Sequence, residues 1–114
     1  GLNNTGMSLC DQSENSEDPQ EQNEKVLQAL DLFQEALQGR QKVLGEKHPL
    51  TADVLRNVGI AHQKLYHQTE KEEHRQNAMT NLRKACKIYQ ENSHKAALDK
   101  ATECLTALDP SGST

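Results

Sequence analysis

The stretch 43–59 constrains the fold most, because it ends one amphipathic helix, turns the chain and begins another. Leu44 is the last apolar residue of a helical pattern, and Gly45 can take the left-handed conformation that closes a helix. Pro49 disfavours helix in the residue before it, His48, while fitting the first turn of a new helix. Small and apolar residues then return at helical spacing: Ala52, Leu55, Val58 and Gly59. We therefore predict a helix-turn-helix joint here.

The same periodicity divides the rest of the chain into helices. The predicted helices are a short one from Leu2 to Cys10, a long one that begins at Asp18-Pro19 and ends at Leu44, one from Leu50 to about His67, one capped by Thr69–Glu72, and a last one at about 94–108. The acidic stretch 11–18 reads as a loop. Asn92-Ser93 breaks the fourth helix and can cap the last. The fold class is predicted to be all-α.

Length and composition favour a helical array over a round globule. The 114 residues provide one domain or a piece of a repeat array. Only 33% of residues are hydrophobic and 3% aromatic, so a wide core is hard to fill, whereas helices rich in Leu and Ala can pack closely. Because the chain opens with Gly1 rather than Met, we expect it to be a fragment of a longer protein.

Charge and motifs exclude several function classes. The net charge is −4 and the 13 Lys and Arg residues are dispersed, which argues against nucleic acid. There is no apolar run that spans a bilayer and no signal peptide, so no membrane partner is expected. Cys10, Cys86 and Cys104 lack tight spacing and read as reduced thiols of a cytoplasmic protein.

Two parts of the sequence repeat. Leu2-Asn3-Asn4-Thr5-Gly6 matches Leu55-Arg56-Asn57-Val58-Gly59, 53 residues later. Ala29, Phe33 and Ala36 match Ala78, Leu82 and Ala85, 49 residues later. The chain is therefore predicted to hold two copies of one unit, a short helix followed by a long helix, with a connection about four residues longer in the first copy.

At the joint, the residues resemble the tetratricopeptide repeat (TPR) family, in particular its kinesin-light-chain type. That type carries Val-Leu-Gly-x-x-His-Pro-x-x-Ala, and residues 43–52 read Val-Leu-Gly-Glu-Lys-His-Pro-Leu-Thr-Ala. The resemblance implies antiparallel helical hairpins stacked as a short right-handed α-solenoid. Small residues fall where the family packs its helices most closely: Gly6, Ala29, Ala36, Gly59, Ala78 and Ala85. Phe33 and Leu82 fill its large apolar position.

The resemblance also gives the predicted domain boundaries. A single domain covers 1–110, with unit one at about 1–45, unit two at about 48–91, a C-terminal capping helix at about 94–108, and a flexible tail at 111–114. The capping helix has one polar face: Lys95, Asp99, Glu103 and Thr106. Two departures stand out. Both loops within the units are longer than the family's short turn, by roughly 11 and 7 residues, and His62 stands where tyrosine or leucine is usual.

The resemblance implies a scaffold in which the first helix of each unit lines a concave groove for peptides. Asn4 and Asn57 align with asparagines that bind the peptide backbone, since an amide offers a donor and an acceptor. The predicted groove residues on the same face are Asn3, Asn4, Met7, Arg56, Asn57, Ile60 and Lys64. Alternatively, the asparagines tie neighbouring helices together. Met7 and Ile60 cannot donate to a carboxylate, which argues against binding of chaperone C termini.

Catalysis and metal binding have no support. No glycine-rich phosphate loop, nucleophile elbow or apolar carboxylate pair occurs, so we predict no catalytic or cofactor-binding residues. His62, His67 and His74 are spaced by five and seven residues, which favours surface histidines over metal ligands.

The predicted function is therefore a non-enzymatic scaffold or adaptor that binds a peptide segment or partner helix, as the C-terminal part of a larger repeat protein. A structural end cap or self-association element is the alternative.

Overall fold

The computed structural model describes residues 1–108, which form five α-helices and no strand. The helices are α1 (Leu2–Glu14), α2 (Pro19–Leu44), α3 (Pro49–Thr69), α4 (Glu72–Glu91) and α5 (Lys95–Leu108). The predicted all-α class is thus confirmed. The predicted domain boundary at 110 and the predicted tail 111–114 lie outside the described residues.

Consecutive helices pack against each other as antiparallel pairs, because the connections between them are short. α1 also contacts α3, and α3 contacts α5. These three helices therefore lie side by side in one layer, and α2 and α4 form the other. α3 is the central element, since it contacts each of the other four helices.

The joint between α2 and α3 forms as the sequence predicts. Gly45 has a φ of 94°, and its N–H donates to the Gln41 carbonyl where α2 ends. α3 begins at Pro49. The residue before it, His48, caps the helix with its side chain, since its Nδ1 accepts a hydrogen bond from the Leu50 N–H at 3.1 Å.

The predicted loop at 11–18 is wrong, because α1 continues to Glu14 and only 15–18 connect it to α2. Cys10 and Ser13 are buried, and the Ser13 hydroxyl donates to the Cys10 carbonyl at 2.6 Å. Packing against α2 therefore keeps this polar segment helical despite its composition.

The predicted capping box at Thr69–Glu72 is also wrong. α3 continues to Thr69, whose hydroxyl donates back to the Leu65 carbonyl at 2.8 Å. Glu70, with a φ of 58°, then ends the helix in the left-handed conformation. Only 70–71 connect α3 to α4, so the residues in excess of the family pattern lengthen helices in both units rather than loops.

At the end of α4 the predicted break is present, but its polar residues do not cap α5. The Asn92 side chain donates to the carbonyls of Lys47 and Ile88, so it closes α4 and ties that end to the joint. Ser93 takes a φ of 60° and turns the chain. The four polar residues predicted for the outer face of α5 are all exposed.

Both units share one close contact between their helices. A Cβ added to Gly6 would lie 2.6 Å from Phe33 Cε1, and one added to Gly59 would lie 2.7 Å from Leu82 Cγ. Phe33 and Leu82 are almost fully buried. The two glycine contacts lie at matching positions of the predicted repeat.

Gly39, within α2, has open space where a Cβ would lie, so no neighbouring helix requires a glycine there.

Candidate partner-binding cleft

A cleft of about 210 Å³ lies between α1 and α3, the first helices of the two units. Its lining residues are Met7, Cys10, Asp11, Glu14, Phe33, Asn57, Ile60 and Lys64. Because α1 continues to Glu14, its second half, from Met7 to Glu14, lines the cleft. The cleft therefore exists only when the two units are stacked.

The floor and walls of the cleft are apolar. Phe33 and Cys10 are buried beneath it, and burial raises the pKa of the Cys10 thiol, which stays protonated and uncharged at neutral pH. Met7 is 42% exposed on one wall, and half-buried Ile60 lies on the other. Such a surface fits a large apolar side chain.

One edge of the cleft is acidic. The Lys64 ammonium on α3 forms an ion pair with the Glu14 carboxylate on α1. Asp11, one turn earlier on α1, is exposed and has no ion-pair partner within residues 1–108. Two carboxylates and one ammonium leave this edge with a net negative charge.

A buried amide pair joins the two units beside the cleft. The Asn57 Nδ2 donates to the Asn3 Oδ1 at 2.9 Å, and both side chains are largely buried. For Asn57, this is the contact between neighbouring helices that the sequence left open as the alternative, but its partner is Asn3 and not Asn4. Asn57 also lines the cleft, so its side chain both joins the two helices and contributes to the cleft surface.

The structure brings together four of the seven predicted groove residues, namely Met7, Asn57, Ile60 and Lys64. Asn3 adjoins them through its bond to Asn57.

Asn4 and Arg56 lie apart from the cleft. Asn4 is exposed and, with Asn3, lines a separate cleft of about 370 Å³ between α1 and α2. Arg56 is half-buried towards α4 and α5. Burial raises the pKa of Tyr89 and of Cys104, and the Arg56 charge opposes both rises. Partner binding by the predicted groove residues stays a prediction.

Four cleft residues were not among the predicted groove residues: Cys10, Asp11, Glu14 and Phe33. The two carboxylates, Asp11 and Glu14, were missed because the predicted first helix ended at Cys10. They follow Met7 by four and seven residues, which is helical spacing. Extending the helix by one turn would have placed both carboxylates on the groove face.

Two histidines form a pair that their spacing does not suggest. His62 Nδ1 on α3 lies 3.2 Å from His74 Nδ1 on α4, and both rings are half-buried. Burial lowers the pKa of His62, the His74 charge lowers it further, and Glu73 opposes the change. The prediction of surface histidines is thus wrong for this pair, and His67 is exposed as predicted. Within residues 1–108, no three His, Cys, Asp or Glu side chains are grouped to hold a metal.

All three cysteines are free thiols. Among the helices of residues 1–108, none is long and apolar enough to cross a membrane.

Stacked helical hairpins, with a glycine of each first helix against a large apolar residue of the second, define an α-helical repeat protein. A family model described as tetratricopeptide repeat matches residues 21–91, more than half of the chain. The chain belongs to the tetratricopeptide repeat family, whose members generally mediate protein–protein interactions and are typically not enzymes. No curated protein and no solved structure matches the chain.

Proposed function

We propose that this chain is a protein-interaction module that binds a peptide segment or partner helix in the groove of α1, α3 and α5. The observation that carries the proposal is the apolar cleft between Met7 and Ile60, which lies in the layer of first helices. At about 210 Å³ it is smaller than the roughly 300–1,000 Å³ of small-molecule sites. It fits a side chain of a protein partner better than a free ligand.

The kinesin-light-chain-like repeat type, the adaptor role and a cytoplasmic location belong to the same proposal. The joint at residues 43–52 supports the repeat type. The three free thiols support a reducing compartment.

The outer helices give little support to self-association, whereas their polar faces are compatible with an end cap. Four apolar residues of α3 pack against α2: Val54, Val58, Ala61 and Leu65. The matching positions of the first copy are exposed: Gly1, just before α1, and Thr5, Ser8 and Gln12 within it. The outer face of α5 is polar too. Neither face offers a second copy an apolar stacking surface. The polar α5 face supports a C-terminal position in a larger repeat protein, whereas the polar α1 face gives a preceding unit little to bury.

Selection from a displayed library of random twelve-residue peptides tests the proposal. We expect the wild-type chain to enrich a shared motif, and Met7→Ser and Ile60→Ser to lose it. Leu27→Ser is the matched control, because Leu27 is half-exposed on α2 outside the cleft. If the folded Met7→Ser and Ile60→Ser variants enriched the same motif as the wild type, binding in the groove would be contradicted. Absence of any enriched peptide would favour the structural alternative.

A further inference from the structure

We propose that the α1/α3 cleft selects a basic partner segment, one that places a large apolar side chain between Met7 and Ile60 and a Lys or Arg beside Asp11 and Glu14. This inference rests on the proposed function and specifies the chemistry of the partner. Its basis is the juxtaposition of an apolar floor with an acidic edge in one cleft.

The site for the partner's apolar side chain has Phe33 and Cys10 as its floor and Met7 and Ile60 as its sides. Met7 still exposes 42% of its surface, so a partner side chain can cover more of it. Burial of a large apolar side chain is the main source of affinity in such a contact.

The site for the partner's Lys or Arg is formed by two carboxylates of α1, those of Asp11 and Glu14. Asp11 is exposed and has no ion-pair partner within residues 1–108, so its carboxylate is free to accept from a guanidinium or an ammonium group. Glu14 is 61% exposed and pairs with Lys64. Such an exposed pair contributes little to stability, so a partner's Arg can take the place of Lys64 at small cost.

An acidic segment is disfavoured at the same place, because its carboxylates would face Asp11 and Glu14 across the cleft. Charges at the rim of an interface contribute more to partner choice and association rate than to affinity. The acidic edge therefore acts on specificity, while the apolar floor supplies the binding. The net charge of −4 also argues against a second copy of this chain as the occupant.

Fluorescence anisotropy with matched peptides tests the inference. The probes are labelled, amidated twelve-residue peptides with a central Leu, Ile, Met or Phe, flanked either by Lys and Arg or by Glu and Asp. We expect the basic set to bind at least about tenfold more tightly than the acidic set, with a difference that decreases as salt is added. Asp11→Asn should weaken binding of the basic set, and Asp11→Lys should reverse the preference.

Asp31→Lys is the control, because it changes the net charge equally at an exposed site on α2. It should leave the preference unchanged. If acidic peptides bind as well as basic ones, or if Asp31→Lys acts like Asp11→Lys, the inference is wrong and the groove function stands. If neither set binds the folded wild-type chain, the groove function fails as well.

Discussion

The two units share one close helix contact but differ in how far their first helices are covered. α3 is enclosed by α2, α4 and α5, and Val54 and Val58 on its α2 side are fully buried. α1 is covered by α2 and by the edge of α3. The matching residues of the first copy are Gly1, just before α1, and Thr5, and both are exposed. The first helix is thus enclosed in the second copy and lies at the end of the array in the first.

Polar contacts compensate in part for the thinner apolar cover of α1. The Asn3–Asn57 bond and the Glu14–Lys64 ion pair hold α1 to α3, one at each end of the cleft. In repeat proteins each unit is stabilised by its neighbour. We therefore expect unit one to depend on unit two and to open first. The partner cleft then lies between α3 and the helix that opens first, α1.

The largest expected effect comes from truncating the matched core residues. Phe33→Ala and Leu82→Ala should each lower the free energy of unfolding by about 2–5 kcal/mol, because both side chains are buried in close contact. Native-state hydrogen exchange should separate them. Phe33→Ala should expose α1 while α4 stays protected, whereas Leu82→Ala should expose all five helices. Equal loss of protection in both variants would show that the units unfold as one.

Alanine at the matched glycines tests the close contacts next. Gly59→Ala should destabilise by about 1–3 kcal/mol, since its Cβ would clash with Leu82 and approach the Ala78 carbonyl at 3.2 Å. Gly6→Ala should destabilise by a similar amount, because its Cβ would lie 2.6 Å from the ring of the buried Phe33. Gly39→Ala, in open space within α2, should stabilise by up to about 1 kcal/mol. Urea unfolding measures all three. A stabilising Gly59→Ala would refute the contact.

The amide pair is tested by a double-mutant cycle. Asn3→Ala leaves the buried Asn57 amide without its acceptor, which should cost about 1–3 kcal/mol. Asn57→Ala should cost a similar amount. The double variant should lose less than the two single losses together, by about 0.5–3 kcal/mol. Additive losses would mean that the two side chains do not interact.

The smallest expected effect is the pH dependence from the histidine pair. His62 has a folded-state pKa below its ordinary value of 6.5, chiefly through burial. The unfolded chain therefore binds the proton more readily, and stability is full above about pH 6.5 and is lost as the pH falls through the folded pKa. His62→Gln should flatten this loss between about pH 7.5 and 5.5. His67→Gln, at an exposed site on the same helix, should not. An unchanged pH profile in His62→Gln would contradict the account.

Much of the fold was predictable because its main signals are local. The joint requires a positive φ at position 45 and a helix start at position 49. The glycine and the proline at these positions predict both features. The spaced small residues also indicated the close contacts of Gly6 and Gly59 correctly.

The helix ends were less predictable, because packing decides them. The polar residues after Cys10 suggest a loop, yet the buried face of α1 keeps them helical to Glu14. The same error hid the acidic edge of the cleft. The Asn3–Asn57 bond and the His62–His74 pair each join two helices, and no spacing along one helix reveals such a contact.

The most direct test of the cleft is chemical-shift mapping of the ¹⁵N-labelled chain during titration with the basic peptide set. The account predicts that the largest shift changes fall on the two sides of the cleft, at Met7 and Asp11 on α1 and at Ile60 and Lys64 on α3. Amides near Leu27, on the outer side of α2, should change little. Changes centred on α2 and α4, with the cleft amides unmoved, would contradict the account.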